Sequence, residues 1–137
     1  LLQHAPQGSS LLGYDVCEKR LASARRRIPS AAQFVRQAID STYCDPEGRE
    51  LPDASIDIVH SAGVVGHHLD APAVRRLARE IRRTLARDGL VILDAGPRIS
   101  ARALRELLNA EGFRCVRELR AHPFARRAAA CFVLASA

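Results

Sequence analysis

Residues 56–93 read IDIVHSAGVVGHHLDAPAVRRLAREIRRTLARDGLVIL. The opening Ile56-Asp57-Ile58-Val59-His60-Ser61 is a short β-branched run and reads as a strand. Ala62 to Leu69 holds two glycines and two histidines and is the least regular part. Asp70 is a good N-cap, and Pro72 suits the first turn of the helix that follows. Val74, Leu77, Ala78, Ile81 and Leu85 recur on one helical face. Asp88-Gly89 is expected to close that helix, with Gly89 as the left-handed residue beyond its end. Leu90-Val91-Ile92-Leu93 is continuously apolar, the pattern of a strand buried on both faces.

The same alternation extends outward. Leu11 to Asp15 reads as a buried strand ending in an acid. Cys17, Leu21, Ala24 and Ile28 keep helical spacing until Pro29 stops the helix. Gln33 to Ile39 is expected to be a second strand, again ending in an acid, Asp40. Ser41 to Ala54 is a loop with Pro46, Gly48, Pro52 and Asp53. After residue 93, Ser100 caps a helix with Leu104, Leu107 and Leu108 inside, and Gly112 ends it. Phe113 to Leu119 and Ala130 to Leu134 are the last strands, on either side of Arg120 to Arg127. Leu1 to Pro6 reads as the tail of a helix. Strands alternating with helices imply an α/β fold with a mostly parallel sheet covered on both faces. The closing pair has no helix between its strands and should be antiparallel. One domain is expected over residues 1–137.

Composition narrows the class. The chain has 137 residues, 47% hydrophobic and 26% charged, the balance of a globular domain. Its longest apolar run, Ala128 to Ala135, is far short of the roughly 20 residues that span a bilayer, and no basic-then-apolar signal opens the chain. A cytoplasmic setting without a membrane partner is therefore expected. There is no Met, and the chain opens Leu1-Leu2-Gln3, which suggests a piece of a longer protein. The net charge of +6 comes almost wholly from arginine, 20 against a single lysine. Arginine suits phosphates and carboxylates, though GC-rich coding produces the same bias. Cys17, Cys44, Cys115 and Cys131 show no CxxC spacing, so no zinc or redox motif is written here, and they read as small buried hydrophobes.

In an open parallel sheet, ligands bind at the carboxyl ends of the strands. Asp15, Asp40 and Ser61 stand at three such ends. An acid there can accept hydrogen bonds from a ribose diol, and a second acid one strand over can accept from an adenine amino group. The simpler role for each is to cap the next helix or turn.

These segments resemble, in order and spacing, the class I S-adenosylmethionine-dependent methyltransferases. Leu12-Gly13-Tyr14-Asp15-Val16 is similar to the family's second strand with its ribose-binding acid. Leu21 to Arg26 resembles the following Leu-x-x-Ala-Arg helix, and Ala38-Ile39-Asp40 the third-strand end. Leu51 to Val59 resembles LPF-D-SFDLV, Ser61 to Val65 the segment beneath the cofactor, Ala78 to Leu90 the REI-R-LKPGG run, and Asn109 to Phe113 the AGF before the sixth strand. The resemblance implies a Rossmann-like sheet of order 3-2-1-4-5-7-6 and S-adenosyl-L-methionine as cofactor. It also implies a cofactor site at Asp15, Val16, Ile39, Asp40, Ser61, Ala62 and Gly63, with no metal. The family's first strand and its GxGxG loop have no counterpart, so the chain is expected to be an N-terminally truncated domain, with a shrunken sheet as the alternative. Cys17 stands where the family has a Ser or Thr cap, and Gly63 to His68 is one residue longer than the usual GVLHHL.

His67 and His68 are the candidate catalytic groups, because a neutral imidazole can take a proton from a hydroxyl or amine as it is methylated. Packing against the cofactor rim is the plainer role. His60, in mid-strand, is expected to be buried structure. Asp94 could touch substrate or hydrogen-bond a loop, and His4 and His122 suggest nothing. A zinc site of Cys44 with His67 and His68 is a remote alternative. The segment Ser61-Ala62-Gly63-Val64 lacks both the Asn/Asp-Pro-Pro-aromatic run of nucleic-acid amino methylases and the Pro-Cys of the cytosine C5 class. A small-molecule acceptor is expected.

The rival class is a nucleic-acid-binding module using Arg75, Arg76, Arg79, Arg82 and Arg83 against phosphates. Aromatics at 4% leave few stacking platforms for it. A nicotinamide dehydrogenase would share the ribose acid but fits the antiparallel last strand and Asp40 less well. Oligomeric state is not written in the sequence.

Overall fold

The computed structural model describes residues 8–28, 32–120 and 128–134, without the side chains of 119, 120, 128 and 129. The readings at Leu1 to Pro6, His4, Pro29 and His122 lie outside these residues. The element order is β1 (Leu11–Asp15), α1 (Glu18–Arg27), β2 (Ala32–Arg36), β3 (Ile56–Ser61), α2 (Ala71–Thr84), β4 (Leu85–Asp94), α3 (Ala101–Ala110), β5 (Phe113–Arg120) and β6 (Ala128–Leu134). The chain divides into two compact units, Leu1–Leu51 and Pro52–Ala137.

In the first unit β1 and β2 pair in parallel, Leu11 opposite Ala32 and Asp15 opposite Arg36. Leu21 is the buried residue of α1. The Tyr14 and Tyr43 rings stack with centroids 5.1 Å apart, and the Tyr14 hydroxyl donates to the Cys44 carbonyl at 2.8 Å. The loop beyond is organised by Asp45. Its Oδ1 accepts from the Glu47 and Arg49 amides at 3.0 and 2.9 Å, and its Oδ2 from Arg49 Nε at 2.7 Å. Desolvation pushes the Asp45 carboxyl up, but the Arg49 amide and guanidinium outweigh it and hold it below its ordinary value. A carboxyl lowered by folding stabilises above the ordinary carboxylate range, and that contribution is lost as pH falls through its folded value. Asp45→Asn is therefore expected to be less stable than wild type at neutral pH, with the gap closing on acidification. A gap independent of pH in urea titrations contradicts this.

The second unit is a four-stranded sheet of order β3-β4-β6-β5. β3 and β4 are parallel, and β6 is antiparallel to both β4 and β5. The antiparallel closing pair is as expected. Each sheet repeats its part of the family order, 3-2 in the first unit and 4-5-7-6 in the second. The described strands form two sheets rather than the one expected.

Helix α2 begins as its sequence dictates. The Asp70 side chain accepts from the Ala73 amide at 3.0 Å, and Pro72 lies in the first turn. Such a cap contributes about 1 kcal/mol. Ala73, Val74, Leu77, Ala78, Ile81 and Thr84 are buried along one stripe. The helix stops at Thr84, earlier than expected, because Leu85 turns extended (φ −73°, ψ 129°) to pair with Ile56. Gly89 is accordingly not left-handed. A Cβ there would meet Leu85 Cδ1 at 2.6 Å and would push that side chain aside. Helix α3 is capped by Ser100 Oγ, which accepts from the Ala103 amide at 3.1 Å, and it packs on β5 and β6.

Burial corrects three further expectations. In Leu90 to Leu93, Val91 and Leu93 are buried while Leu90 and Ile92 are only half-buried, so the strand does not bury both faces equally. Val91 and Leu93 share the buried face with their β6 partners Phe132 and Ala130. His60 is exposed, not buried, and Ile58 on the same face is 54% exposed. Both follow from β3 being the edge of its sheet, with His60 paired to Ile92 on the less covered face. Of the four cysteines, all free, only Cys131 is buried.

Candidate functional site

Asp15 ends β1 and is half-buried. Its Oδ1 accepts from the Cys17 amide at 2.7 Å, an Asx turn that leads the chain into α1, whose N-cap residue Cys17 makes no side-chain cap bond. Its Oδ2 lies 3.6 Å from Arg20 Nη1, a loose pairing to a largely exposed guanidinium. A carboxylate has about four lone-pair sites, so this anchoring leaves accepting capacity. Val16 follows with 62% exposure, an apolar side chain left open beside the acid.

Asp40 does not end a strand. β2 stops at Arg36, and Ile39 and Asp40 form a turn. The last ladder bond runs from the Gln37 amide to the Asp15 carbonyl at 3.2 Å. Beyond it the Gln37 side chain donates to Ser41 Oγ and the Thr42 carbonyl, and Ser41 Oγ donates to the Ala38 carbonyl. These local bonds draw the backbone into a turn and shorten the strand.

At the carboxyl ends of β3 and β4, the loops after the two strands are joined backbone to backbone. The Gly96 amide donates to the Val65 carbonyl at 2.9 Å, and the Arg98 amide to the Gly66 carbonyl at 3.0 Å. The approach is close enough to require glycine at both positions. A Cβ on Gly66 would lie 2.9 Å from Gly96 N, and one on Gly96 would lie 2.5 Å from the Gly66 carbonyl carbon. Gly96 was not singled out in the sequence, although the Gly96-Pro97 dipeptide marks a turn there.

Ser61 and Gly63 flank the exposed Ala62. The Gly63 amide donates to Asp94 Oδ2 at 2.7 Å, so of the two roles expected for Asp94 the loop bond is present. Ser61 pairs with Leu93, which puts its side chain on the buried face. Asp94 follows Leu93 and falls on the opposite face, with His60 and Ile92. His67 is half-buried and His68 is exposed. The edge of the His67 ring lies against Gly96, whose Cβ would meet Cδ2 at 2.6 Å.

Among the described residues, the buried side-chain polar atoms without a partner are Ser61 Oγ, His67 Nε2 and Asp94 Oδ1. Each such atom costs about 1–3 kcal/mol unless something answers it. Ser61 and Asp94 end the parallel strands β3 and β4, His67 lies in the loop after β3, and ligands bind at such strand ends. Of the residues expected to lie beneath the cofactor, Ser61 supplies one of these atoms. No group of three or more His, Cys, Asp or Glu side chains able to hold a metal occurs among the described residues.

The arginine face of α2 is mostly engaged. Arg79 pairs with Glu111 at 3.1 Å, and Arg82 donates to the Glu111 carbonyl at 3.3 Å. Arg83 bridges Glu80 at 2.6 Å and Asp53 at 2.8 Å, and these hydrogen bonds raise its pKa. No helix among the described residues is long and apolar enough to cross a membrane.

Known proteins resemble this chain in sequence family and in fold. The sequence model of a family described as "Methyltransferase domain" matches residues 1–93, from before β1 to Leu93 within β4. No curated protein matches the sequence. Among solved structures, a TehB-like S-adenosylmethionine-dependent methyltransferase from Corynebacterium glutamicum is similar at TM-score 0.73. Its identity is 18%, over 93% of this chain and 70% of that one. An S-adenosylmethionine-dependent methyltransferase from Clostridium acetobutylicum reaches TM-score 0.74 at 8% identity, over 93% and 76%. The 1,6-didemethyltoxoflavin-N1-methyltransferase of Burkholderia thailandensis, with its toxoflavin precursor and S-adenosylhomocysteine bound, reaches 0.70 at 18% identity, over 95% and 63%. With the family match spanning most of the chain and the strand order of each sheet agreeing with it, this protein belongs to the methyltransferase domain family of class I S-adenosylmethionine-dependent enzymes.

Proposed function

We propose that the chain is part of a methyltransferase domain that transfers a methyl group from S-adenosylmethionine to an O, N or C atom of a small molecule. The observation that carries this is the carboxylate of Asp15. It is fixed at a strand end by the Cys17 amide, retains accepting capacity, and stands beside the exposed Val16. Asp15 would accept the ribose hydroxyls, and Val16 and Ile39 would offer apolar contact to the adenine. Asp40 would accept from its amino group even from a turn. Ser61, Ala62 and Gly63 would lie beneath the cofactor. When bound, the cofactor supplies a methyl group on a positively charged sulfur. His67 Nε2, buried and without a partner, is better placed than the exposed His68 to take a proton from the acceptor.

Both units would belong to one domain, since the family match runs across their boundary. The division into two sheets supports a partial domain. Among the described residues, β1 has only β2 as a neighbour and β3 only β4, so each strand keeps one edge without a described partner. The small molecule bound to the Burkholderia enzyme supports a small-molecule acceptor, and the carboxylate pairing of Arg79 and Arg83 disfavours nucleic acid. A cytoplasmic setting agrees with four free cysteines.

Asp15→Asn tests the ribose role. Asparagine keeps an oxygen for the Cys17 amide, so the melting temperature should hold. S-adenosylhomocysteine should bind about tenfold more weakly in calorimetry of the domain form that binds it, the cost of one charged hydrogen bond. Unchanged affinity contradicts the assignment.

A further inference from the structure

We infer that Asp94 is a positioning residue, whose carboxylate holds the Ala62-Gly63 segment in the shape that receives the cofactor. The inference rests on the methyltransferase reading above and deepens it. Gly63 lies just beyond the carboxyl end of β3, exposed, with a left-handed backbone (φ 74°). A Cβ built on it would meet nothing within 4 Å, so its φ and not close packing calls for glycine. Its amide donates to Asp94 Oδ2 at 2.7 Å. That bond runs from the loop after β3 to the last residue of β4, so it is a tertiary tether and not part of a local turn.

The carboxylate is enclosed on its other side. Oδ1 is buried without a partner, and the residues that follow, Ala95 and Gly96, are buried too. Burying a polar atom unanswered costs stability, and more so for a charged group. An apolar residue at the end of β4 would avoid that cost and continue the run Leu90 to Leu93. What the acid supplies, and an apolar residue cannot, is an acceptor for Gly63. Glycine adopts positive and negative φ about equally, so an untethered Gly63 would have to be ordered as the cofactor arrives. The tether meets that ordering cost in advance. The backbone bonds of Gly96 to Val65 and of Arg98 to Gly66 hold the loop farther along and do not include Gly63. Ala62 and Gly63, both exposed at a strand end where ligands bind, thus form a small-residue floor shaped from the neighbouring strand.

Two measurements test this. Hydrogen exchange followed by NMR in this chain reads the bond itself. The Gly63 amide should be protected in wild type, although the residue is exposed, and should exchange freely in Asp94→Ala. Calorimetry with S-adenosylhomocysteine, in the domain form that binds it, reads the consequence. Asp94→Ala should bind about tenfold more weakly, the worth of one hydrogen bond to a charged group. Asp94→Asn keeps an oxygen for the amide, and neutral bonds are about half as strong, so it should lose only about threefold. In a Gly63→Ala background, where the turn is already strained, Asp94→Ala should cost little more. A loss equal in both backgrounds gives Asp94 a merely structural role and overturns the inference. So does wild-type affinity in a folded Asp94→Ala. An unprotected Gly63 amide in wild type overturns it as well, and decides the matter even where Asp94→Ala does not fold. A protected Gly63 amide with no S-adenosylhomocysteine binding by wild type in any form of the domain removes the cofactor reading, and the inference with it.

Discussion

Gly96→Ala is expected to destabilise the second unit by about 3 kcal/mol, the upper part of the range for overpacking. Two effects oppose each other. Alanine restricts the unfolded chain and would stabilise by about 0.4–1 kcal/mol where the native backbone accepts it, and Gly96 has no positive φ to forbid it. The new Cβ, however, would lie 2.5 Å from the Gly66 carbonyl carbon, 2.6 Å from its oxygen and 2.6 Å from His67 Cδ2. The first two are backbone atoms held by the Gly96–Val65 and Arg98–Gly66 hydrogen bonds, so they cannot step aside as a flexible side chain would. The clash wins, and its relief should part the two loops and displace the His67 ring. Urea denaturation should show a lower midpoint with the slope unchanged. A midpoint equal to or above wild type would show that the loops are not joined in this way.

Phe132→Ala is expected to cost about 4 kcal/mol. Phe132 is fully buried and lies opposite both Val91 of β4 and Cys115 of β5, so its ring sits where three strands meet. Typical domains hold only about 5–15 kcal/mol in total, so this loss should leave the second unit marginal. Phe132→Leu keeps most of the apolar volume and should cost less than half as much. Val116→Ala, at a side chain 44% exposed, should fall within about 0.5 kcal/mol. Equal effects of Phe132→Ala and Val116→Ala in denaturant titrations would contradict the placement of the core.

Sequence reading served best where local chemistry and pattern agree. The residues of β3 were legible in full, and α2 was legible from its Asp70 cap, its Pro72 and its apolar stripe. The end of α2 was not, because the pairing of Leu85 with Ile56 is a tertiary demand that overrides helical spacing. An apolar run such as Leu90 to Leu93 does not by itself distinguish burial on one face from burial on two. His60 was misjudged for a related reason, since a strand's position at a sheet edge is a property of the other strands.

The candidate site divides the same way. Asp15 was legible as an acid closing a short apolar run. Asp40 lost its strand end to side-chain bonds from Gln37 and Ser41 that no periodicity records. The joining of Gly66 to Gly96 was hidden because the two residues are far apart in the chain. The three unpartnered buried atoms emerge only once β3 and β4 are side by side.

The most direct test is calorimetric titration of S-adenosylhomocysteine into this chain, beside a form extended upstream through a strand and glycine-rich loop. The account predicts one binding site in the extended form and none measurable in this chain alone. Micromolar binding by this chain would contradict the partial-domain reading and leave the cofactor assignment standing. No binding by either form would contradict the central claim.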